Sequence, residues 1–185
     1  MAYDLVIRNA RVIDGSGMPS FHGDVGVTGG KIVDTGKLTG VARRTIDAGG
    51  RVLAPGFIDN HCHFDAQVTW DPLATFSCYH GSTTVINGNC SLALAPVRRG
   101  DEYTLASMLA RVEAIPMETL QAGIDWRWES LSDYFDVLDQ RLGVNVGSLI
   151  GHSPVRRYVM GEASQDRAPT PEELEGMKAV IRESM

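Results

Sequence analysis

The stretch that decides the fold is VLAPGFIDNHCH, residues 52–63. Its apolar residues predict a buried strand over Val52–Asp59, with Pro55-Gly56 marking a bend inside the run. Two histidines separated by a single residue, His61 and His63, follow this strand directly. The hydrophobic pattern of the chain changes at residue 52, which predicts a boundary between two domains at this point.

Residues 1–52 have the pattern of a small β domain. Short apolar runs at residues 5–7, 11–13, 25–27 and 31–33 are separated by turn-forming pairs such as Asp14-Gly15 and Gly29-Gly30. Separate short runs between glycine-rich reversals predict a small sheet or half of a sandwich. We therefore expect a β-sandwich-like domain over residues 1–52.

From residue 53 onward, strand patterns alternate with helical ones. Strands are predicted over Ser82–Ile86 and Val144–Ile150. Apolar spacing and capping residues predict four helices, over Pro72–His80, Glu102–Ala114, Leu131–Leu142 and from Thr170 to the end of the chain. This alternation indicates parallel β/α units and an α/β fold class.

The length of the chain limits how much of such a fold it contains. A TIM (β/α)8 barrel takes about 250 residues, whereas the whole chain has 185. The last predicted helix reaches Met185 without a stop signal and without a following strand. We therefore expect residues 53–185 to be the first part of a barrel in a longer protein, the alternative being an open α/β domain that ends in this helix.

Composition and charge exclude several classes of protein and partner. The 17 basic and 23 acidic residues give a net charge of −6, which disfavours nucleic acid and anionic membranes as partners. Three cysteines are too few for a secreted disulfide framework. Apolar runs are shorter than the ~20 residues of a transmembrane helix, and the N-terminal residues lack the layout of a signal peptide. The sequence therefore predicts a cytoplasmic protein with reduced thiols.

Three side chains are candidates to bind a metal ion. Residues i and i+2 of a strand face the same side, so His61 and His63 can converge on one ion while Cys62 points away. Cys90 follows the next strand, and the carboxyl ends of barrel strands meet at one mouth. Imidazole and thiolate are both zinc ligands. The alternatives are a pair of partly buried structural histidines and a small buried thiol.

Other polar residues at strand ends are weaker candidates. His152 follows the strand Val144–Ile150, and the roles of metal ligand, substrate contact and structural histidine all stay open for it. Asp65 is either a carboxylate that orients one of the histidines or a solvated loop residue. Asn87 and Asn89 either hydrogen-bond near the site or belong to ordinary turn chemistry.

These segments resemble the amidohydrolase superfamily, and within it the N-acyl-D-amino-acid deacylase (D-aminoacylase) branch. Residues 4–15, 30–33 and 54–63 carry the resemblance to the superfamily. Residues 81–90, 125–130 and 151–153 narrow it to the deacylase branch. Two positions depart from that pattern, since Ser91 stands where the deacylases usually have glycine and Cys62 replaces a small hydroxyl residue.

The resemblance implies a fold, a cofactor and a reaction. The fold is a β/α barrel with a small β domain, and His61, His63 and Cys90 match the zinc-binding positions for one or two Zn²⁺ ions. Metal-activated water then hydrolyses the linear amide of a small-molecule substrate, an N-acyl amino acid or a related amide. The further histidine ligands and the catalytic aspartate of the family belong to later strands, so we expect the 185 residues alone to be inactive.

Two alternative functions remain open from the sequence. The first is a hydrolase of cyclic amides that resembles dihydroorotase or hydantoinase. The second is a non-catalytic remnant or partner-binding fragment, because half a barrel exposes an unpaired strand edge and apolar faces. Association into a homo-oligomer is a further expectation.

Overall fold

A single long strand, β1 (Tyr3–Val12), is the centre of the N-terminal sheet. The computed structural model describes residues 3–139 and 142–185 and separates into two compact units, Met1–Gly56 and Phe57–Met185. The other strands of the first unit are β2 (Phe21–Thr28), β3 (Lys31–Gly36), β4 (Ala42–Asp47) and β5 (Val52–Leu53). Strand β2 pairs antiparallel with β1 and β3, whereas β4 and β5 run parallel to β1.

Strand β1 joins two apolar runs that the sequence suggests as separate strands. Its pairing with β2 changes register between Ile7 and Ala10, and Asn9 has a φ of 56° there. The Asp24 carboxylate accepts hydrogen bonds from the Asn9 amide and the Arg8 guanidinium, both at 3.0 Å. The chain therefore bends at a bulge without leaving the sheet, since a bulge interrupts pairing only locally.

The second unit is built on a three-stranded parallel sheet in the order β6-β7-β8. Its strands are β6 (Phe57–Asp59), β7 (Ser82–Asn87) and β8 (Asn145–Ser148). Its α-helices are α1 (Thr75–Tyr79), α2 (Glu102–Glu113), α3 (Met117–Gly123), α4 (Leu131–Leu138), α5 (His152–Met160) and α6 (Pro171–Glu183). Helical connections between parallel strands confirm the predicted α/β fold class.

The core of the second unit surrounds Trp128 and Tyr134, whose ring centroids lie 5.1 Å apart. The Trp128 indole N–H donates to the Leu94 carbonyl at 2.8 Å, and the Tyr134 hydroxyl donates to the Asp65 carbonyl at 2.8 Å. Both polar groups are thus satisfied inside an apolar cluster. The second of these bonds attaches the segment just after His63 to helix α4.

The predicted strand Val52–Asp59 is wrong as a single element, because its two ends belong to different sheets. Strand β5 pairs with β1, whereas β6 pairs with β7. Pro55 has no backbone N–H to donate, so the ladder stops between them at Ala54-Pro55-Gly56.

Three of the four predicted helices lie close to their predicted positions. Helices α2 and α6 lie where they are predicted, and α4 begins after the predicted cap Ser130; residues 140 and 141 of its predicted range lie outside the described residues. Helix α1 begins at Thr75 and not at Pro72, although Asp71 does accept from the Thr75 amide at 2.8 Å. Helices α3 and α5 were not predicted. Among the described helices, none has both the length and the apolar character needed to cross a bilayer.

Candidate metal centre

The segment 61–64 leaves β6 and is held against the end of β7. The Cys62 amide donates to the Ile86 carbonyl at 3.3 Å, and the Phe64 amide donates to Asn87 Oδ1 at 3.2 Å. The Cys62 thiol also lies 3.2 Å from Asn87 Oδ1. Asn87 is fully buried, and its side chain contacts the residue on each side of His63, the Cys62 thiol and the Phe64 amide.

Cys62 is a buried thiol that packs with Ala74, Val85 and Val144 and lies outside the group of converging ligand atoms. Burial is the largest cause that raises the pKa of its thiol, to about 11. The thiol is therefore neutral at physiological pH and acts as a hydrogen-bond donor. This agrees with the expectation that Cys62 packs inside the unit and does not face the histidine pair.

Cys90 reaches the histidines through a tight turn after β7. Gly88, Cys90 and Ser91 have φ values of 75°, 54° and 67°, all in the left-handed region. Asn89 is buried, and its side-chain amide donates to the Ile86 carbonyl at 2.7 Å. Positive φ at two consecutive residues other than glycine is uncommon, and such strained backbone concentrates at functional sites.

The turn brings the Cys90 sulfur 3.1 Å from His61 Nε2. One ligand atom from each of His61, His63 and Cys90 lies within 4.8 Å of the other two. The imidazole centroids are 5.7 Å apart with an interplanar angle of 75°. His61 and Cys90 are exposed and His63 is half-buried, so this cluster opens to solvent on one side.

These three residues fit a zinc ion by their chemistry and spacing. Zinc–nitrogen and zinc–sulfur bonds of ~2.0–2.3 Å place tetrahedral ligand atoms roughly 3.4–3.6 Å apart. The observed 3.1 Å contact and the 4.8 Å limit bracket this separation. His63 Nδ1 is buried and has no hydrogen-bond partner among residues 3–139 and 142–185. A nitrogen left in this state costs free energy unless a ligand or solvent satisfies it.

Asp65 lies deeper in the unit than the histidine pair. Burial is the main cause that raises the pKa of its carboxyl to about 7, against the opposing effect of the Asp65 and Gly88 amides. Its Oδ2 atom and the Asn87 Nδ2 atom are buried and have no partner within the described part of the chain. Asp65 is buried, so its interpretation as a solvated loop residue is wrong, whereas a role in orienting a histidine stays a prediction.

His152 is the first residue of α5 and is exposed. It lies outside the group of converging ligand atoms. Its suggested contact with substrate therefore stays a prediction. The sequence did not single out Ser153, its neighbour, which hydrogen-bonds to Ser91 beside Cys90.

Comparison with known proteins identifies the family. The Amidohydrolase family profile matches residues 44–185. The chain belongs to this family. The D-aminoacylase of Alcaligenes xylosoxydans xylosoxydans is 35% identical over 185 residues, which cover 99% of this chain and 36% of the enzyme. The N-acyl-D-aspartate deacylase of the same organism is 36% identical over 186 residues, covering 98% of this chain and 34% of the enzyme.

Solved structures of the same family have the same fold over this chain. The N-acyl-D-glutamate deacylase of Bordetella bronchiseptica, in complex with zinc and a phosphonate inhibitor, matches with a TM-score of 0.84 and 31% identity. The match covers 100% of this chain and 36% of that one. A D-aminoacylase with a binuclear metal centre matches with a TM-score of 0.81 and 33% identity, over 98% of this chain and 36% of the enzyme.

The chain thus spans about a third of the length of these relatives. The resemblance to the amidohydrolases and their D-aminoacylase branch is confirmed, and so is the α/β fold class. The relatives named above are deacylases, which are hydrolases.

Proposed function

We propose that this chain carries part of the zinc site of an enzyme that hydrolyses the amide bond of N-acyl-D-amino acids. His61, His63 and Cys90 are its metal ligands in this proposal. The observation that supports it best is the convergence of two imidazoles and one sulfur within 4.8 Å at the ends of adjacent parallel strands. The names of the deacylase relatives favour this substrate class.

The chemistry that the zinc ion supplies when bound is a water of pKa about 7 and a polarised scissile carbonyl. The protein residues have distinct tasks around it. His61 and His63 present neutral nitrogen lone pairs, and the Cys90 thiol gives up its proton to solvent when metal binds. Cys90 is exposed, whereas the Cys62 thiol is buried and its raised pKa keeps it neutral.

The same residues leave room for a substrate. Because His61 and Cys90 are exposed, the open side of the cluster faces solvent and an amide carbonyl can approach from there. His152 is the candidate for contact with that carbonyl. The family resemblance implies further ligands and a catalytic aspartate on later strands, so we expect the 185 residues to bind metal without turnover. Cys90 must stay reduced for this role, which favours the cytoplasm as the compartment.

Metal content tests the ligand assignment. We expect the chain, dialysed against a zinc buffer and analysed by element, to retain at least one zinc ion. The double variant His61→Ala/His63→Ala and the single variant Cys90→Ser should lose it. Cys62→Ser is the matched control, because it changes the adjacent cysteine, which lies outside the group of converging ligand atoms, and should retain the metal.

Retention of wild-type zinc by the double histidine variant contradicts the assignment. The substrate class needs a separate assay on the gene product that contains this chain. Hydrolysis of N-acetyl-D-amino acids supports the proposal, turnover of hydantoin or dihydroorotate supports the cyclic-amide alternative, and zinc binding without turnover of either supports the non-catalytic one.

A further inference from the structure

The backbone around Cys90 has a conformation that serine does not favour by itself. Ser91 has a φ of 67° and directly follows Cys90 with its φ of 54°. A side chain in the left-handed region contacts its own backbone closely, and glycine avoids this cost. Two such residues in succession need contacts from elsewhere in the unit to hold them.

The contacts that hold Ser91 come from the start of helix α5. The Ser91 hydroxyl oxygen accepts a hydrogen bond from the Ser153 amide at 2.9 Å. The two serine hydroxyl oxygens are also 3.0 Å apart, within hydrogen-bond distance. Both bonds join residues that are 62 positions apart in the chain, and they link the turn after β7 to the helix after β8.

Ser91 occupies the place of a helix cap that α5 lacks in its own sequence. The residue at the N-cap position is Gly151, which has no side-chain oxygen. A capping oxygen normally accepts from the second or third amide of the helix, and Ser153 is the second helical residue. Pro154, the third, has no amide to offer. The Ser91 hydroxyl therefore satisfies the first-turn donor that a local cap would satisfy.

The two segments approach each other closely at Gly151. A Cβ placed on Gly151 would lie 3.0 Å from the Ser91 carbonyl oxygen. The turn and the helix start are thus joined both by side-chain bonds and by backbone contact. Such a junction fixes the backbone on the C-terminal side of Cys90, while β7 fixes it on the N-terminal side.

We propose that Ser91 is a positioning residue for the metal site, which holds the Cys90 sulfur beside the histidine pair through its bonds to Ser153. The proposal rests on Cys90 being a metal ligand, as in the proposed function. Without the hydroxyl, the left-handed backbone at Cys90 and Ser91 loses its external support and relaxes, and the sulfur leaves its position 3.1 Å from His61. The same bonds place the residue before Ser153, His152, at the start of α5.

Cobalt(II) titration of the 185-residue chain tests the proposal, because a thiolate ligand gives a charge-transfer band in the near ultraviolet. We expect the wild-type chain to show this band and Ser91→Ala to bind cobalt about tenfold more weakly, the size typical of lost support around a ligand. Ser107→Ala is the matched control, since the Ser107 hydroxyl donates to the Thr104 carbonyl inside its own helix, α2, at 2.8 Å. It should leave cobalt affinity unchanged.

Ser91→Gly keeps the test valid if the alanine variant does not fold. Glycine adopts the left-handed backbone without strain, so Ser91→Gly should lose less cobalt affinity than Ser91→Ala, and the loss that it does show reports the missing bond to Ser153. Wild-type affinity in both variants overturns it, and so does an equal loss in Ser107→Ala. If the wild-type chain shows no thiolate band, the assignment of Cys90 as a metal ligand is wrong. This result differs from the one that overturns only the positioning role of Ser91, in which the band is present and the variants bind cobalt as tightly as the wild type.

Discussion

Gly88 is the residue on which the path from β7 to Cys90 depends most directly. Its φ of 75° lies in the region that glycine enters without strain. A Cβ at this position would lie 2.0 Å from the Leu149 carbonyl oxygen. That oxygen belongs to a backbone segment fixed by the hydrogen bond from the Leu149 amide to the Asn87 carbonyl, at 2.9 Å. The turn therefore requires a residue without a side chain.

Replacing Gly88 with alanine should destabilise the second unit and displace Cys90. We expect Gly88→Ala to lower the free energy of unfolding by about 2–4 kcal/mol, from backbone strain and overpacking together. Urea unfolding measures this change, and zinc retention should fall with it. Gly100→Ala is the control, because Gly100 has a φ of 96° but open space around it. It should cost only about 1 kcal/mol, and an equal cost at both positions would contradict the role of the clash.

At the scale of single residues, the spacing of His61 and His63 and the position of Cys90 after the next strand predicted that these side chains converge. The strand argument covers only part of the result, because β6 ends at Asp59 and Cys90 reaches the histidines through the left-handed turn at residues 88–91. Their role as ligands stays a prediction. The link between Ser91 and Ser153 could not be predicted, because it depends on how two turns 62 residues apart meet in space.

At the scale of elements, helix α5 shows why some boundaries escape sequence analysis. Its first turn contains Pro154, and its cap is supplied by Ser91 from another loop. Neither local capping nor an uninterrupted pattern therefore marks its start. By contrast, α6 has a complete capping box, in which Thr170 accepts from the Glu173 amide and Glu173 accepts from the Thr170 amide. That helix was predicted because its signals are all within four residues.

The capping box of α6 predicts an unusual titration. Hydrogen bonds from Arg167 and then from the Thr170 amide lower the pKa of Glu173 to about 2. The folded pKa is below the ordinary value of about 4.3, so the stabilisation from Glu173 is fully present above pH 4.3 and is lost as the pH falls toward 2. Carboxyl carbon shifts measured by NMR across this range should give a midpoint near 2 for Glu173.

Arg167→Gln isolates the main cause of this shift. The variant removes the guanidinium that bonds to both Glu173 oxygens, at 2.6 and 2.7 Å, but keeps the Thr170 amide. Its Glu173 midpoint should rise toward, but not reach, the ordinary value. A wild-type midpoint near 4.3 would show that the pair is screened by solvent and does not hold the cap.

At the scale of the whole molecule, the net charge opposes association between copies of the chain, whereas exposed apolar surface favours it. The net charge of −6 at pH 7 keeps copies of the chain apart. Strand β6 lies at the edge of its three-stranded sheet, and its Phe57 and Ile58 are each 66% exposed. An apolar edge strand of this kind is a template for pairing with another chain. We expect copies of the isolated 185-residue chain to pair through this edge.

Association through β6 should increase as the net charge is removed. Lowering the pH from 8 toward the isoelectric point of about 5.3 weakens repulsion between copies, so sedimentation velocity at constant protein concentration should show growing dimer or larger species. Ile58→Lys should suppress this growth, because a charge on an edge strand opposes pairing. Ile32→Lys adds the same charge to an isoleucine that is 69% exposed on β3, the edge of the other sheet, and should associate as the wild type does. Equal suppression by both variants would show that association is not specific to β6, and a monomer at every pH would exclude β6 as a contact between copies of this chain.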